Sequence, residues 1–183
     1  MTQHQTHNTT EYNRYPKIFS FIRENIKANK ILSFGCSTGE ECETLLDIFP
    51  EAKIIGIDNN KEVLAIAKSK DKKIEYSESI KNYKNFDLIL AMSVFCKNPE
   101  TLNLEKNTIY NFSDFNNEVI KLNKCLKSCG YLIIFNSNYY FEDSDVFDQY
   151  DIVNCNVENE FVAKFDRLGF RCSKNQNIIF KKK

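Results

Sequence analysis

The chain begins with eleven polar residues that show no periodicity, MTQHQTHNTTE, and a regular pattern sets in only after them. Ile18, Phe19, Phe21, Ile22 and Ile26 recur at helical spacing behind Pro16, a residue suited to a helix's first turn, so a helix is predicted to run to about residues 28–30. Residues 31–34 form a short apolar run that stops at Gly35 and reads as a buried strand. Cys42, Leu45, Leu46 and Phe49 mark the next helix, which Pro50 ends. KIIGID, residues 53–58, reads as a second strand. A helix over 61–70 follows, with Val63, Leu64, Ile66 and Ala67 expected inward, and then a brief strand over 73–77. Residues 86–92, FDLILAM, are apolar almost throughout, as a parallel strand covered on both faces must be.

A longer connection, 97–112, leads to a predicted helix over 114–127 whose inward residues are Phe115, Val119, Ile120, Leu122, Cys125 and Leu126. Gly130 is expected to stop and turn the chain before a fifth strand at 131–135. Val162, Phe165 and Leu168 predict a last helix ending at Gly169. Residues 170–173 and 177–181 are then two final strands, expected as an antiparallel hairpin at the sheet edge. Strand and helix alternate through most of the chain, which predicts a doubly wound α/β fold: a mostly parallel seven-stranded sheet with helices on both faces. One domain is expected over 12–183, behind a disordered polar tail at 1–11.

Composition narrows the function classes. At 183 residues one core is expected. Lys plus Arg and Asp plus Glu are both 25, so the net field gives no reason to expect nucleic acid or an anionic membrane as partner. The basic groupings Lys68, Lys70, Lys72, Lys73 and Lys181, Lys182, Lys183 read as solvated surface. Seven cysteines, an odd number with no C-x-x-C pair and no signal peptide ahead of them, point to reduced thiols. Cys125 and Cys129 lie one helical turn apart, but no second ligand pair follows and both histidines, His4 and His7, fall in the tail, so no metal is expected. No apolar run approaches the roughly 20 residues that span a bilayer. A cytoplasmic location is the expectation that remains.

The chemistry is concentrated at 31–41, ILSFGCSTGEE, where a buried strand, a tight glycine turn and a helix start occur together. Ligands of such crossovers sit beyond the carboxyl ends of the strands. Gly35 and Gly39 let the backbone turn sharply and approach a ligand closely, or else simply let strand and helix pack. Ser37 and Thr38 can cap the helix or bond the ligand. About 20 residues on, the second strand ends in Asp58, where an acidic side chain can accept hydrogen bonds from ribose hydroxyls or cap the helix starting near Asn60. The spacing G-x-x-x-G lacks the central glycine of the G-x-G-x-x-G pyrophosphate cradle, which counts against a nicotinamide-dependent oxidoreductase.

A hydrophobic strand followed by G-C-S-T-G, then I-I-G-I-D, F-D-L-I-L-A-M, L-K-S-C-G and Y-L-I-I-F resembles the class I S-adenosylmethionine-dependent methyltransferases, which have a Rossmann-like fold. The resemblance implies that Gly35, Cys36 and Gly39 line the methionine part of the cofactor. It implies that Asp58 grips the ribose, that Asn59 and Glu78 border the adenine, and that Met92 and Ser93 form the floor under the sulfonium. The segment E-Y-N-R-Y-P is similar to N-terminal segments that fold over the cofactor in this family, making Arg14 a partner for its carboxylate. The acceptor, expected to be a small molecule, would meet the 97–112 connection and the polar stretch after the fifth strand, Asn138 and Tyr139 foremost, with Asn136, Tyr140, Glu142 and Asp143 nearby. No general base is named by the sequence. A binding or regulatory protein that keeps the cofactor site without catalysis stays open beside the enzyme.

Overall fold

The computed structural model describes residues 10–70, 73–157, 159–175 and 177–183. His4, His7, Lys72 and most of the expected disordered tail lie outside the described residues. Helix α1 (Pro16–Asn25) precedes β1 (Lys30–Phe34), α2 (Glu40–Ile48), β2 (Lys53–Ile57), α3 (Lys61–Lys70), β3 (Glu75–Ser77) and β4 (Phe86–Met92). After these come α4 (Phe112–Cys125), β5 (Leu126–Phe135), two 3-10 turns at Phe141–Asp143 and Phe147–Gln149, β6 (Tyr150–Ile152) and β7 (Ile179–Lys182). The seven strands form one sheet in the order β3-β2-β1-β4-β5-β7-β6. All neighbours from β3 to β5 are parallel. Because β7 runs against both β5 and β6, it is the one reversed strand.

Alternation along each strand divides the interior into two cores, since successive side chains leave a strand on opposite faces. Ile31 of β1, Ile54 of β2, Leu88, Leu90 and Met92 of β4, and Ile133 of β5 meet α1, α2 and α3 on one face. Leu32, Phe34, Ile55, Ile57, Ile89, Leu132 and Ile134 face the other way, toward Phe115, Val119 and Leu122 of α4. On this second face α4 covers only part of the sheet. The rest is roofed by aromatic side chains on irregular segments, among them Tyr110, Tyr139, Phe141 and Phe165. Tyr139 alone has ring contacts with Tyr110, Phe112, Phe115 and Phe165. Helices thus lie on both faces, as expected, but unequally.

Several elements depart from the expected pattern. Helix α1 ends at Asn25, because Ile26 is already extended at φ −114°, ψ 137°. Ile66, expected inward on α3, stands half-exposed on its outer face. The turn expected at Gly130 is instead an irregularity inside β5: the strand begins at Leu126 opposite Phe86, and register resumes at Leu88 opposite Tyr131. There Cys129, not the glycine, takes the left-handed conformation, at φ 62°.

The helix expected to end at Gly169 does not form. Asp166 Oδ1 accepts hydrogen bonds from the backbone N–H groups of Leu168 and Phe170, both at 2.9 Å, a local turn that competes with helix. Leu168, expected inward, is 75% exposed. Phe170 and Arg171 make only isolated bridges, to Lys106 and Phe165, so the partner of the last strand is Tyr150–Ile152 and not residues 170–173. The edge pair is antiparallel as expected, but it joins segments far apart in sequence.

Candidate active site

The carboxyl ends of β1, β2 and β4 meet at one edge of the sheet, and the turn after β1 is built there from the backbone outward. Gly35 N–H and Cys36 N–H both donate to Ile57 O, at 2.7 and 3.0 Å, which sews the turn to the end of β2. Gly35 sits at φ +78° and Gly39 at φ +96°, in the left-handed region that glycine enters without cost. Side-chain space is closed as well as torsion: a Cβ on Gly35 would lie 2.3 Å from Val94 Cγ2, and one on Gly39 would lie 2.5 Å from the Tyr76 hydroxyl. Between them Ser37 is also left-handed, at φ 49°.

Asp58, half-buried just beyond β2, braces this turn. Its Oδ2 accepts from Ser37 N–H at 2.9 Å and its Oδ1 from Asn60 N–H at 2.9 Å. The helix cap proposed for Asp58 belongs to its neighbour: Asn60 Oδ1 accepts from Glu62 N–H at 2.9 Å at the start of α3. An ionised carboxylate has about four lone-pair positions, so two remain on Asp58 for a ligand. Asn59 is exposed beside it. Glu78, past β3, is also exposed and lies 3.8 Å from Lys61 at the start of α3.

Neither Ser37 nor Thr38 caps α2; its N-cap is Gly39, with no side-chain hydrogen bond. Thr38 Oγ1 donates instead to the Glu40 carboxylate, which is paired to Lys70 at 2.5 Å. The Cys36 side chain turns inward, near where a Cβ on Gly56 would be. Hydrogen bonding with Cys42 and burial push the Cys36 thiol up, so it stays protonated and only its backbone borders the cleft.

The segment ahead of α1 crosses the same edge. Tyr12 Oη donates to Asp47 Oδ2 at 2.5 Å, and Asn13 N–H donates to Thr44 Oγ1 at 2.9 Å, laying the chain along α2. Arg14, half-buried, stacks over the Tyr15 ring with its guanidinium carbon 5.2 Å from the centroid. Tyr15 is buried and reaches the end of β4, where its hydroxyl is 2.7 Å from Ser93 Oγ. Asn136, just past β5, donates from Nδ2 to both the Tyr15 and Ser93 oxygens, at 3.2 and 3.0 Å. Burial pushes the Tyr15 hydroxyl up, so this trio stays neutral. Met92, the last residue of β4, is buried.

Two members of this arrangement were not singled out from sequence. Tyr15 was seen only as part of its segment. Glu41, in the first turn of α2, accepts from Ser33 Oγ of β1 at 2.7 Å, and burial pushes its carboxyl up to about 7, against the opposing pull of that hydroxyl and of Arg14. A signal for Glu41 did exist: it stands four residues before Leu45, on the helix face that meets the core.

The two residues expected to meet the acceptor are placed in the interior. Asn138 is fully buried; its Oδ1 accepts from Lys97 N–H at 2.8 Å and its Nδ2 donates to Thr101 Oγ1 and Ala163 O, at 3.1 and 2.7 Å. Tyr139 donates its hydroxyl to Tyr110 O. Both hold loops together, and their polar groups are committed to the protein. Tyr140, Glu142 and Asp143 likewise bond within the fold, to Lys174, Asn177 and Lys174 respectively. Among the described residues no group of three His, Cys, Asp or Glu side chains could hold a metal ion, and no helix is long and apolar enough to cross a membrane.

No curated relative matches the chain. Among solved structures it is similar to a Nostoc punctiforme protein described as an O-methyltransferase, at 18% identity and a TM-score of 0.51 over 72% of this chain and 38% of that one. It is also similar to the plantazolicin methyltransferase BpumL, crystallised with SAH and a desmethylPZN analog, at 22% identity and a TM-score of 0.49 over 64% of this chain and 42% of that one. YcgJ from Bacillus subtilis matches at 20% identity and a TM-score of 0.47, over 67% and 49%. The chain therefore spans less than half the length of these neighbours. A family model described as a methyltransferase domain matches residues 26–150, from the end of α1 to the start of β6. That match covers more than half of the 183 residues, and the chain belongs to the methyltransferase domain family.

Proposed function

We propose that the chain binds S-adenosylmethionine at the carboxyl edge of β1, β2 and β3 and transfers its methyl group to a small-molecule acceptor beyond β4 and β5. The observation that carries this reading is Asp58: its carboxylate fixes the glycine turn through Ser37 N–H at 2.9 Å and keeps two lone-pair positions for a ribose diol. The rest of the donor set fits such a cofactor. Gly35, Cys36, Ser37, Thr38 and Gly39 present backbone and the uncapped amino end of α2 to its amino-acid part. Arg14 offers a planar fork for a carboxylate. Asn59 and Glu78 stand exposed where an adenine would border the β2 and β3 ends.

When bound, the cofactor supplies a methyl group already activated on a positively charged sulfur. What remains for the protein is to hold the acceptor atom in line and keep water away, which is catalysis by proximity and orientation. Tyr15, Ser93 and Asn136 serve that role at the end of β4. With the Tyr15 hydroxyl held protonated by burial, the cluster brings no negative charge, so an acceptor that must lose a proton gives it to water or to another group.

Calorimetric titration with S-adenosylmethionine, S-adenosylhomocysteine and NAD tests the reading. Saturable binding of the two sulfur ligands without NAD is expected. Binding of NAD alone would reassign the chain to nicotinamide chemistry, and binding of none by folded protein would reduce the family relationship to one of fold.

A further inference from the structure

At the same carboxyl edge, on the far side of β5, lies a cavity of about 220 Å³ between the chain leaving β6 and the chain entering β7. Its position follows from register. Ile134 N–H donates to Ile178 O, and Val153 N–H donates to Ile179 O, so residues 153 and 178 stand level with the end of β5. Four asparagines, Asn154, Asn156, Asn159 and Asn177, line it over apolar groups such as Val157 and Ile178. Asn177 is oriented by donating Nδ2 to Glu142 Oε1 at 2.8 Å.

Resting on the methyl-transfer reading, we propose that this cavity holds the body of the acceptor and that the acceptor is an amide-bearing chain, such as a short peptide. Each asparagine offers a carbonyl acceptor and an N–H₂ donor side by side, the complement of an amide's own C=O and N–H. Size points the same way. Neighbouring strands lie about 4.8 Å apart, so Ile178 is about 10 Å and Val153 about 14 Å across the edge from Ser93. A molecule that fills the cavity and presents an atom at Ser93 is elongated.

Phe161 ties the chain leaving the cavity to the trio at the end of β4. Its ring is half-exposed, two residues beyond Asn159, and its backbone N–H donates to Asn136 Oδ1 at 3.1 Å, which fixes it beside the Tyr15–Ser93–Asn136 trio. It offers a face on which the body of the acceptor rests between the cavity and the transfer point.

The side-chain amide resonances of the asparagines make the test direct. N-acetyl-triglycine amide, which has backbone amides and no side chains, is titrated into ¹⁵N-labelled protein saturated with S-adenosylhomocysteine; glucose and cadaverine serve as hydroxyl and amine probes. Saturable shifts of the Asn154, Asn156, Asn159 and Asn177 amides with the peptide amide alone are expected, with at least tenfold weaker binding in the N154A/N156A variant. Those two asparagines are exposed and make no hydrogen bond to other described residues, so the variant should fold and bind S-adenosylhomocysteine as the parent does. Peptide-amide binding that the variant leaves unchanged, shifts with glucose or cadaverine in its place, or no shift at all would overturn the proposal. Loss of S-adenosylhomocysteine binding in the parent with the peptide-amide shifts intact would instead overturn the methyl-transfer reading and leave the cavity's chemistry standing.

Discussion

Asp58 has two tasks that a single substitution separates. It holds the turn, through Ser37 and Asn60, and in the proposed reading it also accepts from a ribose diol. Asp58→Ala should weaken S-adenosylhomocysteine binding by about 1–3 kcal/mol, the range for leaving hydrogen-bonding groups unpaired. Asp58→Asn, which keeps one acceptor oxygen, should fall between; calorimetry on variants shown to be folded reads both, and unchanged affinity in the alanine variant removes Asp58 from the site. Glu41 yields a prediction of opposite character. Its carboxyl is raised in the folded chain to about 7, above its ordinary value of 4.5, so the native state holds the proton more tightly than the unfolded state does. Glu41 therefore leaves stability untouched below about pH 4.5 and subtracts from it as pH rises to about 7, by up to about 3 kcal/mol. Urea unfolding at pH 5 and pH 8 should show Glu41→Gln gaining on the parent at the higher pH. Equal differences at both would mean that Glu41 titrates normally.

At the level of elements, the glycine turn is where torsion and packing coincide. Gly35→Ala brings a left-handed residue, costing about 1–3 kcal/mol, and a methyl group into Val94. Pairing it with Val94→Ala should recover the steric part and leave the torsional part, a partial rescue visible in the thermal midpoint; full rescue would show that torsion costs nothing there. This turn was legible in the sequence because glycine in it is dictated locally, by strand, turn and helix within a dozen residues. The parallel strands were legible for a similar reason: a strand covered on both faces is apolar almost throughout, and 86–92, with Asp87 alone polar, matches β4 end to end. The helix expected before Gly169 failed because Val162 and Phe165 are apolar for another purpose. Val162 is buried, and Phe165 packs beside Tyr139 through a bridge that lies across the fold and leaves no local trace. Asn138 and Tyr139 misled in the same way. A polar pair after a strand looks available to a ligand until Lys97, Thr101, Ala163 and Tyr110, all distant in sequence, are found to occupy it.

For the molecule as a whole, one face of the sheet is helical and the other is largely aromatic. Phe141 stands at the centre of the latter, ringed by Phe147, Tyr150 and Phe180, and so joins the chain after β5 to β6 and β7. Phe141→Ala should cost about 3–5 kcal/mol. Since its ring belongs to the core that also holds α4, unfolding followed by circular dichroism and by tyrosine fluorescence should remain one coincident transition. Two separated transitions would mean that the β6–β7 side is an independent unit. The sheet order carries one more consequence, for the chain as it is made. β6 reaches the sheet only through β7, which follows it by 26 residues and is the last strand in sequence. During synthesis the cofactor edge can therefore assemble while β6 waits with both its sides open. Until β7 pairs, the outer edge of β5 is left open as well, and that unpaired edge is the surface a chaperone has to shield.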